Sequence, residues 1–304
     1  MLELIASALV LAQSLLPAAI VTHSYETLNT QATAQRVATS PRAVAQIPPY
    51  APMPSANSSL DLNQDNKAAL LYDTASSSVL YEKNAESKLP IASITKVMTA
   101  LVILQNHSLD ETLTIPTLAP QPTGSQAMNV AVGEQFKLSE ALTGMLIYSA
   151  NDMAQALAIW DSGSEAAFVD KMNAQAKLWG LTKTEFKDAT GLSPNGSKSS
   201  ARDLLGLARI ALHSDFFRVA TSQPRYSVTT LTGKRYNVTT TNKLLGSAGV
   251  IGTKTGYTLE AGECLLSLTS RQGHEIIGVI LGSSDRFGQT KTLLDAAYTN
   301  YQWK

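Results

Sequence analysis

Residues 90–100 read PIASITKVMTA, and the interpretation of the whole chain depends on this stretch. Its apolar residues recur at positions 94, 97, 98, 101 and 102, the spacing of one face of an amphipathic helix. Ser93 stands where that helix should begin, and Lys96 follows one turn later on the same face. The pair predicts a nucleophile and its base at a helix N-terminus, where backbone N–H groups point outward. An exposed serine and lysine on an ordinary helix would give the same local pattern.

The composition of the 304-residue chain excludes several classes of protein. Lys+Arg and Asp+Glu are both 24, so the net charge is zero, and no basic stripe indicates a nucleic-acid partner. Cys264 is the single cysteine, which excludes a disulfide framework, and its apolar surroundings predict a buried strand residue. The four histidines, at positions 23, 107, 213 and 274, lack metal-ligand spacing. We therefore predict no metal, no cofactor and no nucleic acid.

The chain divides into three parts. Residues 1–21 contain an uncharged, mostly apolar run at 4–21, near the lower length limit for spanning a bilayer, and predict a secretory signal or membrane anchor. A buried helix is the alternative, because Arg36 is the first Lys or Arg and a signal's positive n-region is missing. Residues 22–59, rich in Ala, Ser, Thr and Pro, predict an extended linker. Residues 60–304 are predicted to form the folded domain. The N-terminal segment predicts that this domain lies outside the cytoplasm.

Hydrophobic periodicity and turn residues predict the elements of this domain. Helices are expected from Ser93, after Ser139 to a break at 149–151, from Asp152, from Ser164 to Gly180, and from a capping box at Ser200 through Ala211. Strands are expected at 68–72, 79–81, 226–238 with a turn at 232–234, 250–255, 264–269 and 275–281, before a last helix at 289–303. The order of strands, helical lobe, strands and helix predicts an α+β domain whose sheet uses both ends of the chain.

Three short motifs carry the chemistry. Ser93-x-x-Lys96 and Lys254-Thr255-Gly256 each occur once in the sequence. Ser149-x-Asn151 lies between them at the predicted helix break, which distinguishes it from the matching triplets at 55–57 and 193–195.

In this order the motifs resemble those of penicillin-binding proteins and serine β-lactamases. Four strings resemble low-molecular-weight D-alanyl-D-alanine carboxypeptidases of the peptidase S11 family: 90–100, 144–152 (GMLIYSAND), 199–204 (SSARDL) and 252–258 (GTKTGYT). The resemblance covers roughly residues 60–304. It implies a serine β-lactamase/transpeptidase-like fold, in which an antiparallel sheet flanked by helices meets an all-helical lobe and the active site lies at the seam.

The resemblance also implies a mechanism. Ser93 would attack the carbonyl between two D-alanines of a peptidoglycan stem peptide and form an acyl-enzyme, with Lys96 as base and Ser149 relaying a proton. β-Lactam antibiotics would then be covalent inhibitors. A free lysine is almost entirely protonated at pH 7, so Lys96 must be desolvated or lie near another cation such as Lys254.

The implied substrate-binding residues come from three segments. They are Asn151, Arg202, Lys254, Thr255, Gly256 and Tyr257. Backbone N–H groups of Ser93 and Tyr257 would form the oxyanion hole. Arg202 would be a second cation for the substrate carboxylate, with a solvated helix-terminal arginine as the alternative reading.

Three other functions stay open. A D,D-endopeptidase that cuts peptide cross-links would use the same chemistry on a different leaving group. A class A β-lactamase would need a deacylating Glu in an E-x-x-x-N pattern, and Ala189 stands where Glu185 would require Asn. A non-catalytic wall-binding module would be expected to lack Ser93 or Lys96. The favoured expectation is a carboxypeptidase of cell-wall synthesis or remodelling.

Overall fold

A computed structural model of the protein describes residues 52–54 and 64–303. Its strands are β1 (Met53–Pro54), β2 (Ala68–Asp73), β3 (Ser78–Lys83), β4 (Leu89–Pro90), β5 (Thr112–Thr114), β6 (Gln135–Lys137), β7 (Lys198–Ser199), β8 (Arg225–Thr229), β9 (Arg235–Thr239), β10 (Val250–Thr258), β11 (Gly262–Arg271), β12 (His274–Ser283) and β13 (Tyr301–Gln302). Its α-helices are α1 (Thr95–Asn106), α2 (Leu138–Tyr148), α3 (Asn151–Ser162), α4 (Glu165–Leu178), α5 (Ala201–Ala211), α6 (Asp215–Thr221) and α7 (Arg286–Asn300). A 3₁₀ turn, Ala92–Ile94, precedes α1.

A five-stranded antiparallel sheet uses both ends of the chain, as the sequence predicts. Its strand order is β10-β11-β12-β2-β3, so the N-terminal hairpin joins the edge of the C-terminal meander. β2 is buried at every position, because alternate side chains of a strand point to opposite faces and both faces are covered. Leu70 packs into the core shared with the helical lobe, and Leu71 packs into the core beneath α7. β10 is an edge strand of this sheet, beside the seam with the helical lobe.

Helix α1 is the centre of the helical lobe. Every residue from Thr95 through Ile103 is buried, because α1 contacts α2, α3, α4 and α5. The predicted apolar face is present, with Ile94, Val97 and Met98 fully buried. This central position removes the polar residues of α1 from water as well, and Lys96 is among them.

Several predicted element boundaries are confirmed and others are wrong. Ser164 and Ser200 are N-caps, whose hydroxyls accept from the backbone N–H groups three residues on. Ser139 is not a cap: α2 begins one residue earlier, at Leu138, with Lys137 in the N-cap position, and the Leu138 N–H donates to the Glu111 carbonyl oxygen at 2.8 Å. Helix α6 was absent from the sequence prediction.

The C-terminal helix ends earlier than its periodicity predicts. Residues 301–302 leave α7 and form β13, which pairs antiparallel with β1. The Tyr301 hydroxyl donates to the Leu80 carbonyl oxygen at 2.6 Å, and Trp303 Nε1 donates to Asp73 Oδ1 at 3.1 Å. These contacts, distant in sequence, hold the last residues against the sheet.

The N-terminal predictions fall largely outside the described residues. Residues 1–21 and most of 22–59 lie there, whereas Met53–Pro54 in the predicted linker form β1. Within residues 52–54 and 64–303, each helix is too short or too polar to cross a membrane.

Candidate active site

A cavity of about 560 Å³ lies at the seam between the helical lobe and the edge strand β10. Its walls include residues from all three sequence motifs: Ser93, Ser149, Asn151, Thr255, Gly256 and Tyr257. Lys96 and Lys254 lie beneath this surface and are almost fully buried. The structure therefore brings together eight of the nine residues that the sequence singles out.

Ser93 lies in a tightly fixed 3₁₀ turn. The preceding residue, Ala92, has a φ of 47°, a left-handed conformation that costs energy for a residue with a Cβ. A Cβ on Gly256 would lie 2.7 Å from the Ile91 carbonyl oxygen, and one on Gly191 would lie 1.9 Å from the Ala92 carbonyl oxygen. Because both positions are glycine, β10 and the loop that contains Gly191 can pack against the turn that carries Ser93 from two sides.

The amino group of Lys96 has three hydrogen-bond partners. Lys96 Nζ lies 3.0 Å from Ser93 Oγ, 2.6 Å from Asn151 Oδ1 and 2.7 Å from the Thr190 carbonyl oxygen. An uncharged amine has two N–H donors and one lone pair. Since Asn151 Oδ1 and the Thr190 carbonyl oxygen can only accept, they take the two N–H groups. The lone pair is then left to accept from the Ser93 hydroxyl, which is the contact a general base needs.

Burial makes this uncharged state accessible. Lys96 is fully buried, and desolvation lowers the pKa of its amino group from 10.5 to about 7, against the opposing charges of Asp188 and Asp152. The requirement for a desolvated lysine is met. Lys254 is 1% exposed, and its pKa is also well below the ordinary value, through burial and then through the charges of Lys96 and Arg286.

The second motif lies at the break between α2 and α3. Ser149 has a φ of 64°, follows the last residue of α2 and turns the chain sharply. Asn151 then begins α3, and its backbone N–H donates to the Gln126 carbonyl oxygen at 2.8 Å. The break therefore places a hydroxyl and an amide at one wall of the cavity, with the amide oxygen on Lys96.

The third motif forms the opposite wall. Thr255 Oγ1 lies 2.6 Å from Thr241 Oγ1, in the segment that follows β9. Lys254 Nζ donates to the Thr255 carbonyl oxygen at 3.1 Å. Tyr257 is half exposed at the cavity mouth and pairs with Glu263 on β11. Because β10 is an edge strand, its outer backbone groups face the cavity.

Arg202 lies elsewhere. It follows the N-cap of α5, where Nε donates to Glu86 Oε1 at 2.5 Å and Nη2 donates to Glu82. Its side chain is 40% exposed on the surface beside β3, away from the cavity walls. Glu185 is also at the surface, in ion pairs with Lys88 and Lys187.

The cavity contains a cation that the sequence did not reveal. Arg286, the first residue of α7, lines the wall beside Thr255 and Gly256. Its Nη1 donates to the Gly256 carbonyl oxygen at 2.9 Å, while its Nε is buried without a partner among the described residues. Arg286 belongs to no recognisable local pattern, and only the tertiary fold brings it here. Arg286 is therefore a second cation beside the third motif, which is the property expected of Arg202 from the sequence.

Comparisons with known proteins find a matching family and similar relatives. A family model described as D-alanyl-D-alanine carboxypeptidase matches residues 55–285. D-alanyl-D-alanine carboxypeptidase DacF of Bacillus subtilis is 35% identical over 251 residues, which cover 80% of this chain and 64% of the relative. A D-alanyl-D-alanine endopeptidase of Pseudomonas aeruginosa is 33% identical over 261 residues, covering 84% of this chain and 82% of that protein.

Solved structures show the same fold. Penicillin-binding protein D2 from Listeria monocytogenes, in its ampicillin-bound form, is 32% identical with a TM-score of 0.68. That match covers 78% of this chain and 99% of the Listeria chain. The serine β-lactamase/transpeptidase-like α+β fold is confirmed. This chain spans less than two thirds of the length of the Bacillus relative.

Proposed function

The chain belongs to the D-alanyl-D-alanine carboxypeptidase family, peptidase S11, and from that premise we propose that it removes the terminal D-alanine from peptidoglycan stem peptides through an acyl-enzyme. One observation carries the proposal. A fully buried lysine with a pKa of about 7 lies within hydrogen-bond distance of a serine at the floor of an open cavity. Such a pair is an activated nucleophile, and its serine is the residue that a β-lactam would acylate.

The acylation step uses the contacts between Ser93 and Lys96. Lys96 takes the Ser93 hydroxyl proton on its lone pair as Ser93 Oγ bonds to the carbonyl carbon between the two D-alanines. The negative charge on the carbonyl oxygen is stabilised by the backbone N–H groups of Ser93 and Tyr257, each of which is worth about 3 kcal/mol in the transition state. The C–N bond then breaks, and the departing amine receives the proton from Lys96 through the Ser149 hydroxyl. Water attacks the ester in the reverse sequence and releases the shortened peptide.

Substrate orientation follows from the opposite wall. The terminal carboxylate of the substrate pairs with Arg286 and accepts from the Thr255 hydroxyl, with Lys254 behind them. The Asn151 amide binds the peptide backbone of the substrate while its oxygen holds Lys96. Arg286 takes the role that the sequence suggested for Arg202, because Arg202 is held by two glutamates outside the cavity.

The location and the inhibitors follow from the same proposal. Peptidoglycan lies outside the cytoplasmic membrane, so the enzyme acts there, and residues 1–21 direct its export or hold it at the membrane. Covalent inhibition by β-lactams is supported by the ampicillin-bound and cefotaxime-bound forms of the Listeria protein.

Mass spectrometry of stem-pentapeptide digests tests the proposal. The wild type should release one D-alanine, and Ser93→Ala should release none. Ser200→Ala, which changes a serine at the start of another helix, is the matched control and should behave as wild type. Release of D-alanine by Ser93→Ala at the wild-type rate would contradict the assignment of the nucleophile.

The endopeptidase alternative has support from the Pseudomonas relative's name. The same protein incubated with cross-linked peptide dimers separates the two activities, since only an endopeptidase converts dimers to monomers. Steady hydrolysis of nitrocefin, rather than a single burst, would favour a β-lactamase.

A further inference from the structure

The loop at residues 187–192 (KDATGL) packs against Lys96 and against the turn that carries Ser93. We propose that Asp188 is a positioning residue for the general base: its buried carboxylate fixes the loop whose Thr190 carbonyl oxygen accepts from Lys96. The inference rests on the proposed function of Lys96 and adds a residue that none of the three motifs contains.

Asp188 organises the loop through hydrogen bonds with its backbone. The residue is 6% exposed. One carboxylate oxygen accepts from the Thr190 N–H at 2.7 Å, from the Thr190 hydroxyl at 3.1 Å and from the Gly191 N–H. The other accepts from the Ser193 N–H at 2.6 Å. Four donors on one carboxylate fix the peptide planes of this loop, because hydrogen bonds to a charged group are stronger than neutral ones.

The fixed loop contacts both Lys96 on α1 and the 3₁₀ turn that carries Ser93. The Thr190 carbonyl oxygen lies 2.7 Å from Lys96 Nζ and takes one of its N–H groups. Gly191, with a φ of 83°, lies so close to Ala92 that any Cβ would overlap the Ala92 carbonyl oxygen. A small change in this loop would therefore move Lys96 and the turn that carries Ser93. Displacements of about 1 Å typically reduce catalysis about 100-fold.

The charge of Asp188 acts on Lys96 as well. Burial raises the pKa of Asp188, but hydrogen bonds from Ser193, Gly191 and Thr190 outweigh it, so the group stays ionised. Its negative charge favours the protonated form of Lys96 and opposes the effect of burial.

Two other titratable groups lie around Lys96. Asp152, on α3, raises the pKa of Lys96 as Asp188 does, and it is held by the backbone N–H groups of Met128 at 3.1 Å and Val130 at 3.2 Å. Lys254, on β10, is also buried, and its pKa lies well below the ordinary lysine value through burial and then through the charge of Lys96. The two carboxylates thus keep Lys96 basic enough to accept the Ser93 proton, since a general base works best with a pKa near the working pH.

The pH dependence of the reaction with a fluorescent penicillin tests this inference. We expect the acid limb of the wild-type rate to have its midpoint near pH 7. In Asp188→Asn the midpoint should move down by about 1 pH unit, the lower end of the effect of a nearby opposite charge. Asp152→Asn should move it in the same direction. Asp188→Glu keeps the charge but not the four hydrogen bonds, and should slow the reaction without moving the midpoint.

A buried carboxylate elsewhere provides the control. Asp203 is 8% exposed and braces a loop by accepting from the Lys183 N–H at 2.7 Å. Asp203→Asn should lower the melting temperature and leave the midpoint unchanged. An unchanged midpoint in folded Asp188→Asn and Asp152→Asn would overturn the inference. NMR titration of the Lys96 side chain in the same variants does not require activity, so a wild type that fails to react would count against the proposed function alone.

Discussion

The N-termini of α1 and α5 are similar in sequence and differ in chemistry. Each joins a serine to a basic residue within four positions, Ser93 to Lys96 and Ser200 to Arg202. At α5 the Ser200 hydroxyl caps the helix, accepting from the Asp203 N–H at 3.1 Å. At α1 the serine hydroxyl lies 3.0 Å from the lysine amino group instead.

The surroundings of the two cations explain the difference. Lys96 is fully buried among neutral oxygen acceptors, so its pKa falls to about 7 and it can accept a proton. Arg202 is partly exposed. Desolvation lowers the pKa of Arg202, but Glu86 and Glu82 together outweigh it and raise the pKa above its ordinary value, so the group stays charged. A serine and a basic residue become reactive only where packing removes water and leaves no carboxylate in direct contact with the cation.

Replacing each cation gives the largest expected contrast. Lys96→Arg keeps the charge but cannot release a proton at any relevant pH, so the rate of acylation by a fluorescent penicillin should fall about 10³-fold. Arg202→Lys should leave the rate unchanged. A Lys96→Arg protein that is folded by circular dichroism and reacts within tenfold of wild type would break the comparison.

Removing the cavity cation should have the next largest effect. Arg286→Met removes a charged donor to the substrate carboxylate, worth about 1.5–3 kcal/mol, so KM for a peptide with a free terminal carboxylate should rise about 10- to 100-fold. The same peptide ending in an amide serves as the control and should show little change in KM. Equal effects on both peptides would mean that Arg286 does not bind the carboxylate.

The two serines should separate stability from activity. Ser200→Ala removes an N-cap and should lower the free energy of unfolding by about 1 kcal/mol in urea denaturation, with acylation unchanged. Ser93→Ala should abolish acylation, and because Ser93 caps no helix, it should not lower the free energy of unfolding through the loss of a cap. A folded Ser93→Ala protein that still forms the penicillin adduct would reverse this assignment.

The smallest effect is expected at Arg202. Its ion pairs with Glu82 and Glu86 are solvent-exposed, so Arg202→Ala should lower the free energy of unfolding by about 0.2–1 kcal/mol, less at high salt. KM and the acylation rate should match wild type. A rise in KM would restore the substrate-binding role first assigned to Arg202 and remove the distinction between the two helix starts.

Local patterns in the sequence predicted much of the fold. Alternating strands and turn residues located the hairpin of β8 and β9, and helical periodicity located α1, because these signals act within a few residues. The prediction for the end of the chain was wrong, because contacts between residues distant in sequence decide the structure there. The helical pattern continues through Tyr301, but the bonds of Tyr301 and Trp303 to the sheet favour an extended backbone there.

The site follows the same division. Ser93, Ser149 and Lys254 were found because each belongs to a short motif. Arg286 lines the cavity and Asp188 fixes the loop that contacts Lys96, and in both cases only the tertiary fold brings the residue to its place. Arg286 has no local signal, and the string at 187–192 resembles carboxypeptidases without indicating what Asp188 does. From the sequence, Lys96 was expected to be desolvated if it acts as the base. The burial of Lys96 itself could not be predicted, because it comes from the central position of α1 in the helical lobe.

The rate at which penicillin acylates Ser93, measured against pH by mass spectrometry of the labelled peptide, tests the central claim most directly. If buried Lys96 is the base, it acts uncharged, so the rate should rise with pH to half its maximum near pH 7 and then level off. A rate that does not change from mildly acidic to alkaline pH, or that rises only near the ordinary lysine pKa of 10.5, would contradict the account.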